Sequence, residues 1–296
     1  MANAKEIKRR MQSITNTKQI TNAMKMVSAS KLRRAQKQIG AGRPYQEKLR
    51  QVLAQVSASM SGEISDPLLE VRPVKHEAFL VIASNKGLAG GFNHHVTKEA
   101  HRVIKEAQAA GHEVSVIAVG RKVNEYFTKH GVPVDVAYLD THDIPDPYDS
   151  EVIAKEIRSA YETGKYDKVS IVYPLFRSVM SQVPTVVPLL PIAGETLGQD
   201  EDKDKDASKY SVDYIFEPDA ASILSQLLPM YLSNQIHGCM ADAKTGEHGA
   251  RMTAMTAATD NATELLSKLE ISYNRARQAA ITNEITEIVA GANALS

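Results

Sequence analysis

Residues 251–294 read RMTAMTAATDNATELLSKLEISYNRARQAAITNEITEIVAGANA, a run with no proline and one glycine, Gly291, near its end. Met252, Met255, Thr259, Ala262, Leu266, Leu269, Tyr273, Ala276, Ala280, Asn283 and Glu287 step through it by alternating threes and fours. That spacing predicts a heptad seam on a long helix, its residues small and increasingly polar toward the C-terminus. Upstream the helix traces back to Glu217-Pro218-Asp219, a start signal with proline at the first turn. Pro229 is expected to kink it, and Gly238, Gly246 and Gly249 to weaken its middle.

Length makes this helix decisive. From Asp219 to Ala290 it would extend roughly 108 Å at ~1.5 Å per residue. A compact domain of the chain's 296 residues is only about 50 Å across. The helix must therefore project, and it needs a companion.

The N-terminal segment, residues 1–59, supplies one. It is rich in helix formers, with Pro44 its only proline. Ile7, Met11 and Ile14 mark one apolar stripe; Ile20, Met24 and Val27 mark a second, with a slip in register between Ile14 and Ile20. A thin seam of this kind suits a coiled-coil partner better than a globular core. The first fifty residues hold thirteen Lys or Arg against two acids, a net +11 that the rest of the chain balances. Such asymmetry points to partners: acidic protein surfaces, or a nucleic-acid backbone. Against the second, Tyr45 is the only aromatic in the basic helix, so the rings that stack on bases are missing.

Between the helices, residues 60–216 alternate apolar strand patterns with helical ones. A breaker-rich linker spans 62–73. Ala78–Ser84, Glu113–Gly120 and Lys168–Pro174 read as buried strands; Val132–Tyr138 and the proline-bearing Val183–Leu190 read as edge strands. Residues 96–110 and 151–162 read as helices. The fold class expected is thus α/β: a central Rossmann-like domain (60–216) between two helices, 1–59 and 217–296, that form a long antiparallel coiled coil. The acidic run 198–209 reads as an exposed loop.

A search for chemistry returns structural readings. Gly87, Gly90 and Gly91 in SNKGLAGGFN do not make G-x-G-x-x-G, so a tight turn is expected, not a phosphate cradle. His94, His95, Glu99 and His101 lack zinc-site spacing and read as solvent-facing. Asp140, Asp143, Asp146 and Asp149 lack the glycine of a calcium loop and read as solvated. Cys239 has no cysteine partner and reads as a packing residue. No catalytic, cofactor or metal residue is expected. The N-terminus carries no signal-peptide pattern, and the most apolar stretch, residues 183–193, is too short and proline-rich to span a membrane.

ITNEITEIVAGANA, at Ile281–Ala294, resembles the signature of the gamma subunit of F-type ATP synthases through Ile281, Thr282, Glu284, Glu287, Gly291, Ala292 and Ala294. The N-terminal run IKRRMQSITNTKQITNAMKMVSASKLRRAQ, the turn GLAGGFN and SQVPT at Ser181–Thr185 are similar to the same family, so the likeness is end to end. The resemblance implies a rotor shaft inside a 3:3 ring of alpha and beta subunits. It stands on a membrane c-ring beside the epsilon subunit, couples proton flow to ATP synthesis and regulates ATPase activity. It implies no catalytic site in this chain, and a peripheral position on the cytoplasmic face of a bacterial inner membrane. Met24 and Lys25 match the family's region that passes an acidic segment of beta. Arg251, Arg277, Gln278, Thr282 and Glu284 match its polar ring contacts, and residues 288–295 its apolar bearing. KTGEHGARM is more Gly-rich than the family's usual stretch there, and the plant-type dithiol insert is missing.

Overall fold

The computed structural model describes residues 4–59, 66–143, 145–192, 217 and 219–295. The acidic run 198–209, Pro218 and residues 62–65 of the linker lie outside them. The elements in chain order are α1 (Ala4–Ser59), β1 (His76–Ile82), α2 (Phe92–Ala109), β2 (Glu113–Val119), α3 (Arg121–Lys129), β3 (Val134–Tyr138), α4 (Pro147–Glu162), β4 (Lys168–Ser178), β5 (Ser181–Leu190) and α5 (Ala220–Leu295). They form two compact units, Lys31–Ala250, and Met1–Ser30 with Arg251–Ser296, so each terminal helix contributes to both.

In the larger unit the sheet order is β3-β2-β1-β4-β5. The first four strands are parallel, and β5 returns antiparallel along β4 as a hairpin. Leu80 is level with Ile117 on one side and Ile171 on the other, and β1, buried on both faces, is a continuous apolar run. Pro184 and Pro188 sit on the edge strand, where a missing N–H costs no ladder bond on the open side.

Alternation along β1 divides the core. Phe79, Val81 and Ala83 pack with Val96, Ala100 and Ile104 of α2 and with Val123 and Phe127 of α3. Ala78, Leu80 and Ile82 pack with Ile153 and Ile157 of α4, and also with Leu53 of α1 and Leu228 and Leu232 of α5. Helix α3 was not legible in the sequence: only Val123 and Phe127 are buried in its nine residues, one apolar pair at i, i+4.

α5 runs unbroken through Pro229 and the three glycines. Those glycines are places of close packing. A Cβ on Gly246 would meet Phe92 Cε2 at 3.1 Å and Gln182 Cγ at 3.1 Å, and one on Gly238 would meet Gln46 Nε2 at 2.6 Å. The weakening expected of the glycines in this stretch is met by burial: Lys244, Thr245, Glu247 and His248 are all under 9% exposed.

In the smaller unit the hydroxyls of Thr21 on α1 and Thr259 on α5 lie 2.9 Å apart. Counted outward from that level in the antiparallel sense, Ile7 faces Tyr273 and Ile14 faces Leu266. Burial agrees, because shielding on α5 ends at Ala276, level with Ala4, where α1 begins. A parallel pair would have carried α1 past Ala276 and shielded Ala280 and Asn283 as well. The α1 seam does not slip. It continues from Ile14 through Lys18, Thr21, Lys25 and Ser28, all buried or half-buried in 4-3 steps. Ile20 and Val27, read as seam residues, are 61% and 56% exposed. Polar residues hold the seam there, level with Ala262, Thr259, Met255 and Met252 of α5. On α5 the expected seam residues Ala280, Asn283 and Glu287 are exposed, since α1 ends short of them.

Candidate partner-contact surface

Beyond Ala276, α5 continues for nineteen residues to Leu295, about 28 Å with no helix of the described residues beside it. From Arg277 to Gly291 every residue is exposed. The segment keeps helical form by local means. The Thr282 hydroxyl donates to the Gln278 carbonyl at 3.0 Å and that of Thr286 to the Thr282 carbonyl at 2.8 Å, as Thr256, Thr259 and Thr263 do earlier in the helix.

Its side chains are sorted. At about 100° per residue, Arg277, Ile281, Glu284 and Ile288 form one line along the helix, and Gln278, Thr282, Ile285 and Val289 a second line beside it. The four polar residues matched to the family's ring contacts thus share one face with four exposed apolar residues; Ile281, Ile285, Ile288 and Val289 are 45%, 56%, 71% and 53% exposed. The continued seam, Ala280, Asn283 and Glu287, lies on the adjoining face. A helix that offers a mixed apolar and hydrogen-bonding face to solvent over four turns is built for a surrounding partner.

Met24 and Lys25 lie elsewhere. Level with residues 255 and 256 of α5, they stand about 30 Å along the pair from Arg277. Lys25 occupies the seam and both are half-buried. The neighbouring Ile20, Met26 and Val27 are exposed, so the second apolar stripe read in the sequence is an outward-facing patch. Arg251 is 8% exposed, buried and apart from the face of Arg277. The side chains of Ala292, Ala294 and Leu295 lie outside the described residues.

The groups that could have carried chemistry in the larger unit are spent on structure. In the turn after β1, Asn93 Oδ1 accepts from the Ser84 amide at 3.1 Å and the Ser84 hydroxyl at 2.8 Å, and Asn93 Nδ2 donates to the Lys86 carbonyl at 3.3 Å. The Asn93 side chain at the start of α2 thus closes the turn through its own hydrogen bonds. Gly120, with φ +105, brings β2 so close to β1 that a Cβ would lie 2.5 Å from the Ala83 carbonyl oxygen. Asp143 pairs with Lys31, which holds its carboxyl below the usual range. Asp146 caps α4 by accepting from the Tyr148 amide at 2.9 Å, and Asp149 accepts from the amide and ring of His142 at 3.1 and 3.0 Å. Asp140, Asp143 and Asp146 are exposed, as the solvated reading expects, and Asp143, Asp146 and Asp149 also organise the loop.

His94 and His95 are exposed, as expected. His101 is not: it stacks on Phe127 and meets Tyr126 and His130 edge-on, and burial, with Lys105, pushes its pKa down. Glu99 holds Arg102 at 2.6 Å. Cys239 is buried in the core, and burial, then Asp242, pushes its thiol far above the ordinary range. Such a thiol is a packing residue. A cavity of about 160 Å³ beside it is lined by Arg43, Tyr173 and Asp242 among others. Burial pushes the Asp242 carboxyl up to about 6, against the opposing pull of Arg43.

The profile of the ATP synthase family matches residues 3–295. The chain is 43% identical over 295 residues to the ATP synthase gamma chain of Desulforamulus reducens, covering all of both chains. It is 40% identical over 314 residues to that of Gloeothece citriformis, again covering all of both. The chain belongs to the ATP synthase gamma-chain family. Its fold is shared with chains in solved mitochondrial ATP synthase assemblies. A chain of the Euglena gracilis mitochondrial ATP synthase OSCP/F1/c-ring assembly superposes with a TM-score of 0.69 at 19% identity, over 99% of this chain and 94% of that one. A chain of the Tetrahymena thermophila central stalk and c-ring gives 0.60 at 22% identity, over 81% and 99%. Family membership over the full length leaves the nucleic-acid reading of the basic helix without support. Among the described residues no helix is long and apolar enough to cross a membrane.

Proposed function

We propose that the chain is the torque-transmitting shaft of a rotary ATP synthase and performs no chemistry itself. As a gamma chain it works in the central stalk of an enzyme complex that couples ion transport to ATP synthesis. The observation that carries the shaft reading is the unpartnered end of α5, with Arg277, Gln278, Thr282 and Glu284 on one exposed face beside Ile281, Ile285 and Ile288. Threaded through a 3:3 ring of alpha and beta subunits, that face meets ring loops, while the apolar residues near the tip turn in a sleeve. Met24 and Lys25 meet an acidic segment of beta lower on the shaft, and Arg251 contributes from within the helix pair. The α/β unit is the foot that meets the epsilon subunit and the membrane c-ring, on the cytoplasmic face of a bacterial inner membrane.

Mechanism follows from the kind of contact. A shaft must not rest in one deep well, and small polar groups exchanged between loops give shallow ones. The absence of catalysis is supported by what the candidate groups do: Asn93 closes its own loop, Cys239 is packed, and Asp143, Asp146 and Asp149 are engaged.

The test is reconstitution with alpha and beta subunits. A complex with one copy of this chain per three of each, showing ATP-driven rotation of a bead fixed to its foot, is expected. A stable hexamer that excludes the chain, or ATP hydrolysis by the chain alone, would sink the reading.

A further inference from the structure

The strongest unassigned feature is the Thr21–Thr259 contact. Each hydroxyl has one proton, and three acceptors compete for the two. Thr259 Oγ1 lies 2.7 Å from the Met255 carbonyl, the two hydroxyls lie 2.9 Å apart, and Thr21 Oγ1 lies 3.1 Å from the Lys18 carbonyl. The shortest consistent arrangement is a relay: Thr21 donates to Thr259, and Thr259 donates to Met255. Thr21 is 9% exposed, so this relay is shielded from competing water.

A heptad seam repeats, and repetition is ambiguous. Sliding α5 by seven residues, about 10 Å, returns a seam residue to every seam position. The apolar levels resist this only through packing, because the slip exchanges Leu266 with Tyr273 or Thr259 and Leu269 with Ala276 or Ala262, and a seam open to solvent on both sides can relax around such changes. Thr21 can. One heptad away it would be level with Met252 or Leu266, neither of which offers its hydroxyl a partner across the seam. A buried polar pair inside an otherwise tolerant seam is the known physical means of choosing one register.

We propose that Thr21 and Thr259 form the register pin of the helix pair: positioning residues that fix how far α1 and α5 can slide against each other under load. The bearing on torque rests on the shaft reading above; the bearing on register does not. Twisting a two-helix shaft makes its strands slide, so a pin midway along the seam turns a compliant pair into a stiff one.

Cysteine pairs read the register in the full chain, in a Cys239→Ala background. Met11→Cys with Leu269→Cys reports the native level. Met11→Cys with Ala262→Cys, or with Ala276→Cys, reports a slip of one heptad either way. With both threonines present the native cross-link should exceed the slipped ones by roughly tenfold, the ratio that one net buried hydrogen bond supplies. In T21V/T259V the slipped products should rise to comparable yield while the melting temperature holds or rises, since valine packs the seam. T21S/T259S should restore the native ratio, which separates the hydroxyls from the packing. In the assembled complex, T21V/T259V should lower protons pumped per ATP severalfold with hydrolysis retained.

An unchanged cross-link ratio in T21V/T259V overturns the pin. So does a melting temperature that falls with no slipped product, the signature of a bond that only stabilises. Native pumping in a slipped complex overturns the pin's role in torque and leaves the shaft reading intact. Failure of the unaltered chain to assemble would strike the shaft reading and leave the register ratio standing.

Discussion

Gly246 of α5 lies against the ring of Phe92, so close that a methyl group added to it would sit 3.1 Å from Cε2 and 3.1 Å from Gln182 Cγ. Gly40, also inside a helix, has nothing within 4 Å of its would-be Cβ. Alanine at Gly40 should therefore stabilise the chain by about 0.5–1 kcal/mol, the helix-propensity gain alone. At Gly246 the same gain meets crowding, and a larger residue such as valine should cost about 2 kcal/mol. Denaturant midpoints of the two variants should move in opposite directions.

Asp242 should make stability fall as pH rises. Its folded pKa is raised to about 6 from 3.8, so the folded state prefers the neutral acid. That contribution is fully present below about pH 4 and is lost as pH climbs to about 6. It amounts to about 2–3 kcal/mol at most. Asp143 and Asp135, with lowered pKa values, work in the opposite sense. The clean reading is the difference between wild type and Asp242→Asn: the variant should gain in relative melting temperature between pH 4 and 6 and then level off.

Leu53 and Ile20 are aliphatic residues of the same helix with opposite exposure, 0% and 61%. Leu53→Ala should cost about 3–4 kcal/mol by opening a cavity against the sheet. Ile20→Ala should change stability by less than about 0.5 kcal/mol. Equal effects in urea titrations would contradict the seam assignment of α1.

Ala276 is the last shielded residue of the α5 seam. A carboxylate there meets the start of α1 in a half-buried position, and Ala276→Glu should loosen the end of the pair by about 1–2 kcal/mol. In the assembled complex, proton pumping should drop more than ATP hydrolysis. Unchanged synthesis and pumping would show that the shaft tolerates charge at this level.

Much of this architecture was legible because it is written in short-range spacing. The 3-4 steps of Met252 to Ala276 and the apolar run of β1 are local patterns, and helix period and strand burial follow from them directly. The reading of α1 failed where it tracked apolar residues only. Thr21 and Ser28 are buried because α5 covers them, a fact held by the partner helix. The four family-matched residues at the tip were found by motif; that they share a face with Ile281, Ile285 and Ile288 follows from helix geometry once the helix is known to continue.

By itself, then, the sequence determined that two long helices flank an α/β domain, and which side chains of α5 can align. Tertiary structure alone decided four things: the strand order, the burial of Leu53 and Leu228 against the sheet, the antiparallel register through Thr21 and Thr259, and the residue at which α5 loses its companion. The physical reason is range. Periodicity is set by neighbours three or four residues apart, whereas Thr21 and Thr259 are 238 residues apart in the chain. Their meeting depends on everything that folds between them.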